Sequence, residues 1–390
     1  MSEAVILSAC RTPIGKFRGR LSSVPATDLG ACVVREVVAR AQFAPAEVEG
    51  VILGMVLPAG TGQAPARQAA LKAGLPTTVG ALTINMVCGS GLKAVMLAAQ
   101  AIRSGEAQVL VAGGMECMSQ TPWLLRRDAP PLGDRPLIDS MLHDGLECAF
   151  SGESMGLIAD RLAQRLGISR EAQDRFAVES HRRAVAASQA GAFQAELVAV
   201  SVANRGQSTT VTADEGPRVD CDLARLSELR PVFASTGSVT AGNASTISDG
   251  ACALVVASDA AAMRLGCTPR ARIAAWATAG GEPAELFTAP VAAIRRVLER
   301  TGRSIQDIDL FEINEAFAVQ MLACMQQLDL PPDRVNVHGG AIALGHPIGA
   351  SGARVLTTLL TALEQRQLRI GVAALCLGGG NAVAVLIERL

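Results

Sequence analysis

Residues 81–114, ALTINMVCGSGLKAVMLAAQAIRSGEAQVLVAGG, and residues 345–380, GHPIGASGARVLTTLLTALEQRQLRIGVAALCLGGG, are two versions of one pattern. In the first, the strand-like run Ala81 to Val87 ends at Cys88 and Gly89 to Arg103 carries a helical pattern. Val109 to Ala112 is apolar again, and Gly113 and Gly114 break it. In the second, His346 precedes the helical stretch Gly349 to Gln365, Gly371 to Leu375 reads as a buried strand, and Gly378 to Gly380 follow Cys376. Repetition of a whole strand-helix-strand order marks a duplicated chain.

The match extends upstream. AEVEGVILGMV (46–56) and IQDIDLFEINE (305–315) each lead from a short acidic turn into an apolar strand, and VILSACRTP and ARIAAWATA open the two halves. After Gly380 the chain runs directly into AVAVLIERL, a last strand. After Gly114 the equivalent strand waits until SDGACALVVAS, 248–258. The expected organisation is therefore an N-terminal half, 1–118, completed by 248–268; an inserted loop domain, 119–247; and a C-terminal half, 269–390. Alternating strands and helices make the fold class α/β, with two mixed-sheet halves and helices between and around them. The insertion, with PWLLRRDAPPLGDRPL (122–137), an amphipathic stretch Ile168 to Ser188 and polar loops around Asn204 to Pro217, is expected to cover a site at the junction of the halves.

Composition narrows the function. The 390 residues carry a formal net charge of −1 with no basic block, so the sequence offers no electrostatic basis for nucleic-acid binding. Positive charge comes almost wholly from arginine, since Lys16, Lys72 and Lys93 are the only lysines. Although 49% of residues are hydrophobic, no uncharged apolar run approaches the ~20 residues needed to span a bilayer. No secretion signal is read at MSEAVILSACRTPIG. Ten cysteines without a CxxC pair argue for reduced thiols, and a cytoplasmic location with no membrane partner is expected.

Four residues stand out. Cys88 lies where a strand meets a glycine-flanked helix start, so its sulfur is expected to face the helix's positive end as a thiolate. Backbone amides there could also hold an oxyanion. His346, between Gly345 and Pro347, is too glycine-flanked for a helix interior and is read as an aimed imidazole able to take a thiol proton. Cys376 ends a strand before three glycines, a place where a second thiol can face a cavity. Asn314 in EINEAFA ends the upstream strand and offers an amide for a water or carbonyl, or a helix N-cap for Glu315 onwards. His143, His181 and His338 are read as structural, with His181 on a helix surface beside Arg182 and Arg183.

The motifs around these residues resemble the thiolase family along the whole chain from ACRTPIGKF: NMVCGSG, GEAQVLVAGGMECMS, LRPVFASTGSVTAGNAS, FEINEAFA, NVHGGAIALGHPIGASGAR and CLGGG, in that order. The resemblance implies a duplicated thiolase-like fold and reversible, coenzyme A-dependent Claisen condensation and thiolysis, most simply two acetyl-CoA to acetoacetyl-CoA and CoA. It implies that Cys88 carries the acyl group, His346 activates Cys88 and Cys376 exchanges the α-proton. Asn314 would hold a water that acts with His346 on one oxyanion, and the amides of Cys88 and Gly378 would stabilise the other. CoA contacts map to Arg218, Ser245, Ala316 and Phe317. No metal or redox cofactor is implied; CoA is substrate and product, and the chain is expected to form a homodimer or homotetramer, with Trp123 to Ile138 as contact loop. Three positions depart from the family pattern: Ser154 where histidine is usual before Met-Gly, Phe287 in FTAP where GxGP is familiar, and Ala382 in CLGGGNA. They bear on acyl-chain length and not on the catalytic set. The alternatives are a degradative 3-ketoacyl-CoA thiolase of broader chain length and a catalytically silent acyl- or lipid-binding protein.

Overall fold

Ala4–Arg11 form β1 with every residue buried, and what pairs with that strand on either side decides the architecture. In the computed structural model, residues 2–128, 132–204 and 207–390 are described. The first half continues through β2 (Gly15–Lys16), α1 (Ala26–Ala41), β3 (Gly50–Gly54), α2 (Pro65–Lys72), β4 (Gly80–Ile84), α3 (Ser90–Ser104) and β5 (Val109–Cys117). The segment between the halves holds the hairpin β6 (Trp123–Leu124) and β7 (Ile138–Asp139), helices α4 (Met155–Leu166) and α5 (Arg170–Gln189), the hairpin β8 (Val200–Asn204) and β9 (Gln207–Val211), and α6 (Leu223–Ser227). Then come β10 (Ser248–Ser258) and α7 (Asp259–Arg264). The second half is β11 (Ala271–Gly280), α8 (Ala289–Thr301), β12 (Leu310–Ile313), α9 (Ala318–Leu328), α10 (Ala341–Leu344), α11 (Ile348–Gln365), β13 (Ile370–Leu377) and β14 (Asn381–Arg389).

The main sheet runs β12-β13-β14-β11-β1-β10-β5-β3-β4, so β10 lies between β1 and β5. In the second half β14 lies between β11 and β13 in the same way. The halves meet at a short seam, Val5 opposite Arg272 and Ile6 opposite Ala271. β3 pairs in parallel with β4 and β5, and β12 with β13, while the remaining pairs are antiparallel. In the second half the counterpart of β4 is reduced to one bridge between Phe311 and Val335.

The period-two rule sorts the core. Ala253, Val255 and Ala257 of β10 pack with α1, whereas Cys252, Leu254 and Val256 pack with α3 and α11. Those two helices also cover Ala373, Leu375, Val383 and Val385 of the second half, and α8 and α9 lie on the opposite face. α11 is consequently buried on every side from Ile348 to Leu363, and its polar residues Ser351 and Arg354 find partners within the protein, His346 and Glu312. The two central helices approach closely through glycine: a Cβ on Gly352 would sit 2.2 Å from the Leu92 amide nitrogen.

The expected amphipathic stretch 168–188 falls on α5, but His181 is buried, not on the helix surface. The proposed contact loop Trp123 to Ile138 is an arm whose ends pair in β6 and β7; its residues 129–131 lie outside the described residues.

Candidate active site

The turn between β4 and α3 is held by its own side chains. Ser90 Oγ accepts from the Met86 amide at 2.8 Å and donates to the Val87 carbonyl at 2.6 Å, and Asn85 Oδ1 accepts from the Val87 amide at 2.9 Å. Val87 is thereby kept at φ +47°, an unusual conformation for a β-branched residue. At Gly89 a Cβ would stand 2.3 Å from Leu377 Cδ2, so glycine lets the Cys88 turn and the end of β13 close on each other without displacing the Leu377 side chain.

Cys88 and Cys376 face one cavity of about 670 Å³. Burial pushes the Cys88 thiol up to about 12, while the amides of Cys88 and Gly378, aimed at the sulfur, pull it down. The expected resting thiolate is therefore corrected: the two turn amides are outweighed by lost hydration, and Cys88 rests protonated. Cys376 is pushed still further from thiolate, first by burial and then by Cys88 itself, so the two sulfurs lie within electrostatic reach. Gly378 follows in a turn whose Gly379 and Gly380 have φ of +80° and +85°.

His346 is fixed at both ends. Its amide donates to Thr246 O at 3.0 Å and to Ser248 Oγ at 3.2 Å. Nδ1 lies 2.6 Å from Ser351 Oγ, whose own proton is given to Pro347 O at 2.9 Å. Ser351 must then accept from Nδ1–H, which leaves the lone pair on Nε2. Burial, with Arg354 in support, pushes the imidazole down to about 3, so it is a neutral acceptor at physiological pH. Nε2 is 3.4 Å from Asn314 Nδ2.

Asn314 is fully buried directly after β12, and its amide extends the ladder to Ala374 O at 3.0 Å. It is not a helix cap, because α9 starts at Ala318 with Phe317 as its N-cap residue. Its side-chain Oδ1 has no protein partner, an arrangement that fits a bound water or a substrate donor.

Arg218, Ser245, Ala316 and Phe317 line the same cavity. Ser245 donates its amide to Ala316 O at 3.0 Å, so its place in the turn and its place on the wall coincide. Phe317 stands edge-on to Phe287 at 5.2 Å and to Phe233 at 6.5 Å, an aromatic wall with Met155 and Leu286 nearby. Ser154 also lines the cavity and caps α4 through the Leu157 amide. Ala382 pairs directly opposite Cys376 in the β13–β14 register, so this departure touches the catalytic set after all.

Sequence reasoning missed Ser351 and Glu116. Glu116 accepts from the amides of Val56 (2.9 Å), Leu57 (3.3 Å) and Gly349 (3.0 Å), tying the start of α11 to the chain after β3. Burial raises it to about 7. Its one sequence signal was an isolated acid in the apolar strand VLVAGGMEC. Phe233, Met155 and Leu286 carried no signal beyond ordinary core.

The thiolase N-terminal domain model matches residues 4–260 and the thiolase C-terminal domain model matches residues 267–389. The chain is 51% identical to an acetyl-CoA acetyltransferase of Escherichia coli (strain K12) and 50% identical to one of Cupriavidus necator, covering 100% of each chain in both cases. A probable acetyl-CoA acyltransferase of Staphylococcus aureus (strain COL) is 48% identical over the same full coverage. The crystal structure of the Bacillus anthracis acetyl-CoA acetyltransferase superposes with a TM-score of 0.98 at 41% identity, covering 100% of this chain and 99% of that one.

Proposed function

The chain belongs to the thiolase family, and from that premise we propose that it interconverts two acetyl-CoA with acetoacetyl-CoA and CoA through an acyl-Cys88 intermediate. One observation carries the reading: Cys88, Cys376 and His346 line a single cavity together with the Gly378 turn, and Asn314 is bonded to the imidazole.

In thiolysis, Cys88 Sγ attacks the 3-keto carbon while its proton passes to His346 Nε2, which the Ser351 contact keeps unprotonated. The amides aimed at the Cys88 sulfur, its own and that of Gly378, form one donor pair near the reacting carbonyl. Breaking the C2–C3 bond leaves its electron pair on C2, and the Cys376 thiol protonates it to release acetyl-CoA. CoA then attacks the thioester, giving its proton to the Cys376 thiolate, and Cys88 leaves and recovers the proton from His346. Every step uses side-chain and backbone groups of this chain. The rise in both thiol pKa values favours a neutral resting pair, so that Cys88 gives up its proton to His346 only as its sulfur bonds to the substrate carbon.

Loss of the magnesium-acetoacetyl-CoA absorbance on adding CoA tests the activity; no thiolysis with any 3-ketoacyl-CoA sinks it. A series of ketoacyl chain lengths places the enzyme between the acetoacetyl-specific reading and the broader one. Self-association belongs to the same proposal, supported by apolar groups standing in water on the 123–138 arm: Trp123 is 62% and Leu132 87% exposed. A monomer in light scattering would remove that part. Among the described residues no helix is long and apolar enough to cross a membrane.

A further inference from the structure

Glu116 is fully buried one residue before the end of β5, and no cation pairs with it among the described residues. Its acidic neighbour Asp249, on β10, adds no positive charge and spends its oxygens on the amide and hydroxyl of Ser119. A buried carboxylate without a cation costs stability unless donors fill its oxygens. Here backbone amides alone fill them: Oε2 accepts from Val56 and Gly349, at 2.9 and 3.0 Å, and Oε1 from Leu57 at 3.3 Å.

Each donor lies on a segment that carries or backs a reacting group. Gly349 stands in the first turn of α11, three residues after His346 and two before Ser351, which fixes the imidazole tautomer. α11 starts after Pro347 with no side chain of its own capping it, so Glu116 supplies from β5 the negative cap that a helix start favours. A Cβ on Gly349 would stand 2.7 Å from Glu116 Oε2, so a larger residue there would push the two apart. Val56 leads to the nucleophile: Asn85 Nδ2 donates to the Val56 carbonyl at 3.3 Å, and Asn85 Oδ1 accepts from the Val87 amide at 2.9 Å. Val56, Leu57 and Ile348 also share one apolar cluster, and Val87 and Cys88 pack against it. One carboxylate thus joins the turn of the thiol to the helix start of the imidazole. Among side chains only a carboxylate offers two acceptor oxygens and no donor.

We propose that Glu116 is a positioning residue for the thiolase reaction: its carboxylate holds the Cys88 turn and residues 346–349 in the register that lets His346 Nε2 take the thiol proton. This deepens the acyl-transfer reading and rests on it. Glu116 is not on the cavity wall, so it acts through the two segments and does not meet substrate.

The test compares the parent with Glu116→Gln and Glu116→Met in thiolysis of acetoacetyl-CoA, in calorimetric binding of CoA and in single-turnover acetylation of Cys88 by acetyl-CoA. Glu116→Gln keeps one oxygen for Val56 and Gly349 but turns a donor toward Leu57, so kcat and the acetylation rate should fall about 10-fold. Glu116→Met offers no acceptor, and both should fall about 100-fold, the loss that a misplacement of about 1 Å produces. KM and the CoA dissociation constant should stay within about twofold, because the proposed CoA contacts Arg218, Ser245 and Phe317 lie on segments that Glu116 does not hold. If Glu116→Met does not fold, Glu116→Gln decides. Acetylation at the parent rate in Glu116→Gln, or a loss of CoA affinity as large as the loss of kcat, overturns the proposal. Iodoacetamide alkylation of Cys88, followed as the mass of its peptide, reads the same proton transfer from thiol to imidazole without turnover. The charge of Glu116 raises the Cys88 thiol, so removing charge alone would speed alkylation. A slower rate in Glu116→Gln therefore reports the lost register, and an equal or faster one overturns it. A parent that fails to cleave acetoacetyl-CoA would refute the proposed activity and leave the register to be decided by alkylation.

Discussion

Ser351→Ala removes one oxygen at the end of the imidazole that never meets substrate. In the parent, Ser351 Oγ gives its proton to Pro347 O and accepts from His346 Nδ1–H at 2.6 Å, which fixes the tautomer with Nε2 free. Without the hydroxyl, Nδ1–H is a buried donor with no acceptor, at a cost of about 1–3 kcal/mol. The ring escapes part of that cost by moving its proton to Nε2, the nitrogen that must accept from Cys88. At 1.36 kcal/mol per decade, this lowers kcat/KM for thiolysis about 10- to 100-fold. Because the loss falls on Cys88 activation, single-turnover acetylation by acetyl-CoA, followed as the mass of the Cys88 peptide, should slow by the same factor. Calorimetric unfolding should report a destabilisation of about 1–2 kcal/mol, too little to empty the folded state. A variant that acylates at the parent rate refutes the tautomer argument, whatever happens to overall turnover. So does one that loses rate only in the later proton exchange.

Other outcomes follow from the same geometry. Cys88→Ala should form no acyl-enzyme, whereas Cys376→Ala should still acylate from acetyl-CoA yet fail to exchange its α-protons with D₂O; full exchange in Cys376→Ala would overturn the division of roles. Since His346 is held near 3, it stays neutral as pH falls from 9 to 5, so kcat/KM should show no acid limb centred near 6.5 that Ser351→Ala displaces. Phe287→Ala opens the wall beside Phe317 and should shift the kcat/KM ratio of 3-ketohexanoyl-CoA over acetoacetyl-CoA upward by about 10-fold, at a stability cost of about 3–5 kcal/mol in urea unfolding; an unchanged ratio would remove Phe287 from the specificity wall. Arg354→Met strands Glu312, its partner at 2.8 Å in a pair where each side chain is 2% exposed, and should cost about 3–5 kcal/mol by the same assay, a loss below 1 kcal/mol being the refuting result.

The order of strands and helices was legible because each is written in periodicity and punctuated by glycine. The runs around Cys88 and Cys376 end in turns where added atoms would collide, as at Gly89, and such constraints leave a mark on the chain itself. The insertion could be read from the displaced strand 248–258, whose partners β1 and β5 are far away in sequence. Glu116 and Ser351 could not be read so easily. An acid accepting three backbone amides and a serine fixing a tautomer acquire those roles only from groups brought in through space. The aromatic wall of Phe233, Phe287 and Phe317 was equally hidden, because three phenylalanines from separate segments look like ordinary core until they meet.

What the sequence determined by itself was the duplication and the family, and it singled out as candidates two thiols, an imidazole and an amide that lie at the ends of β12 and β13 and just before α3 and α11, since local pattern and residue chemistry suffice for that. What only the tertiary structure decided was their electrostatic state. The helix start at Cys88 argued for a thiolate, but burial between the two halves pushes that sulfur up to about 12 and the imidazole down to about 3. The reason is physical: the pull of amides on a sulfur is a local property that a motif can encode, whereas loss of water is set by every segment that closes over the site.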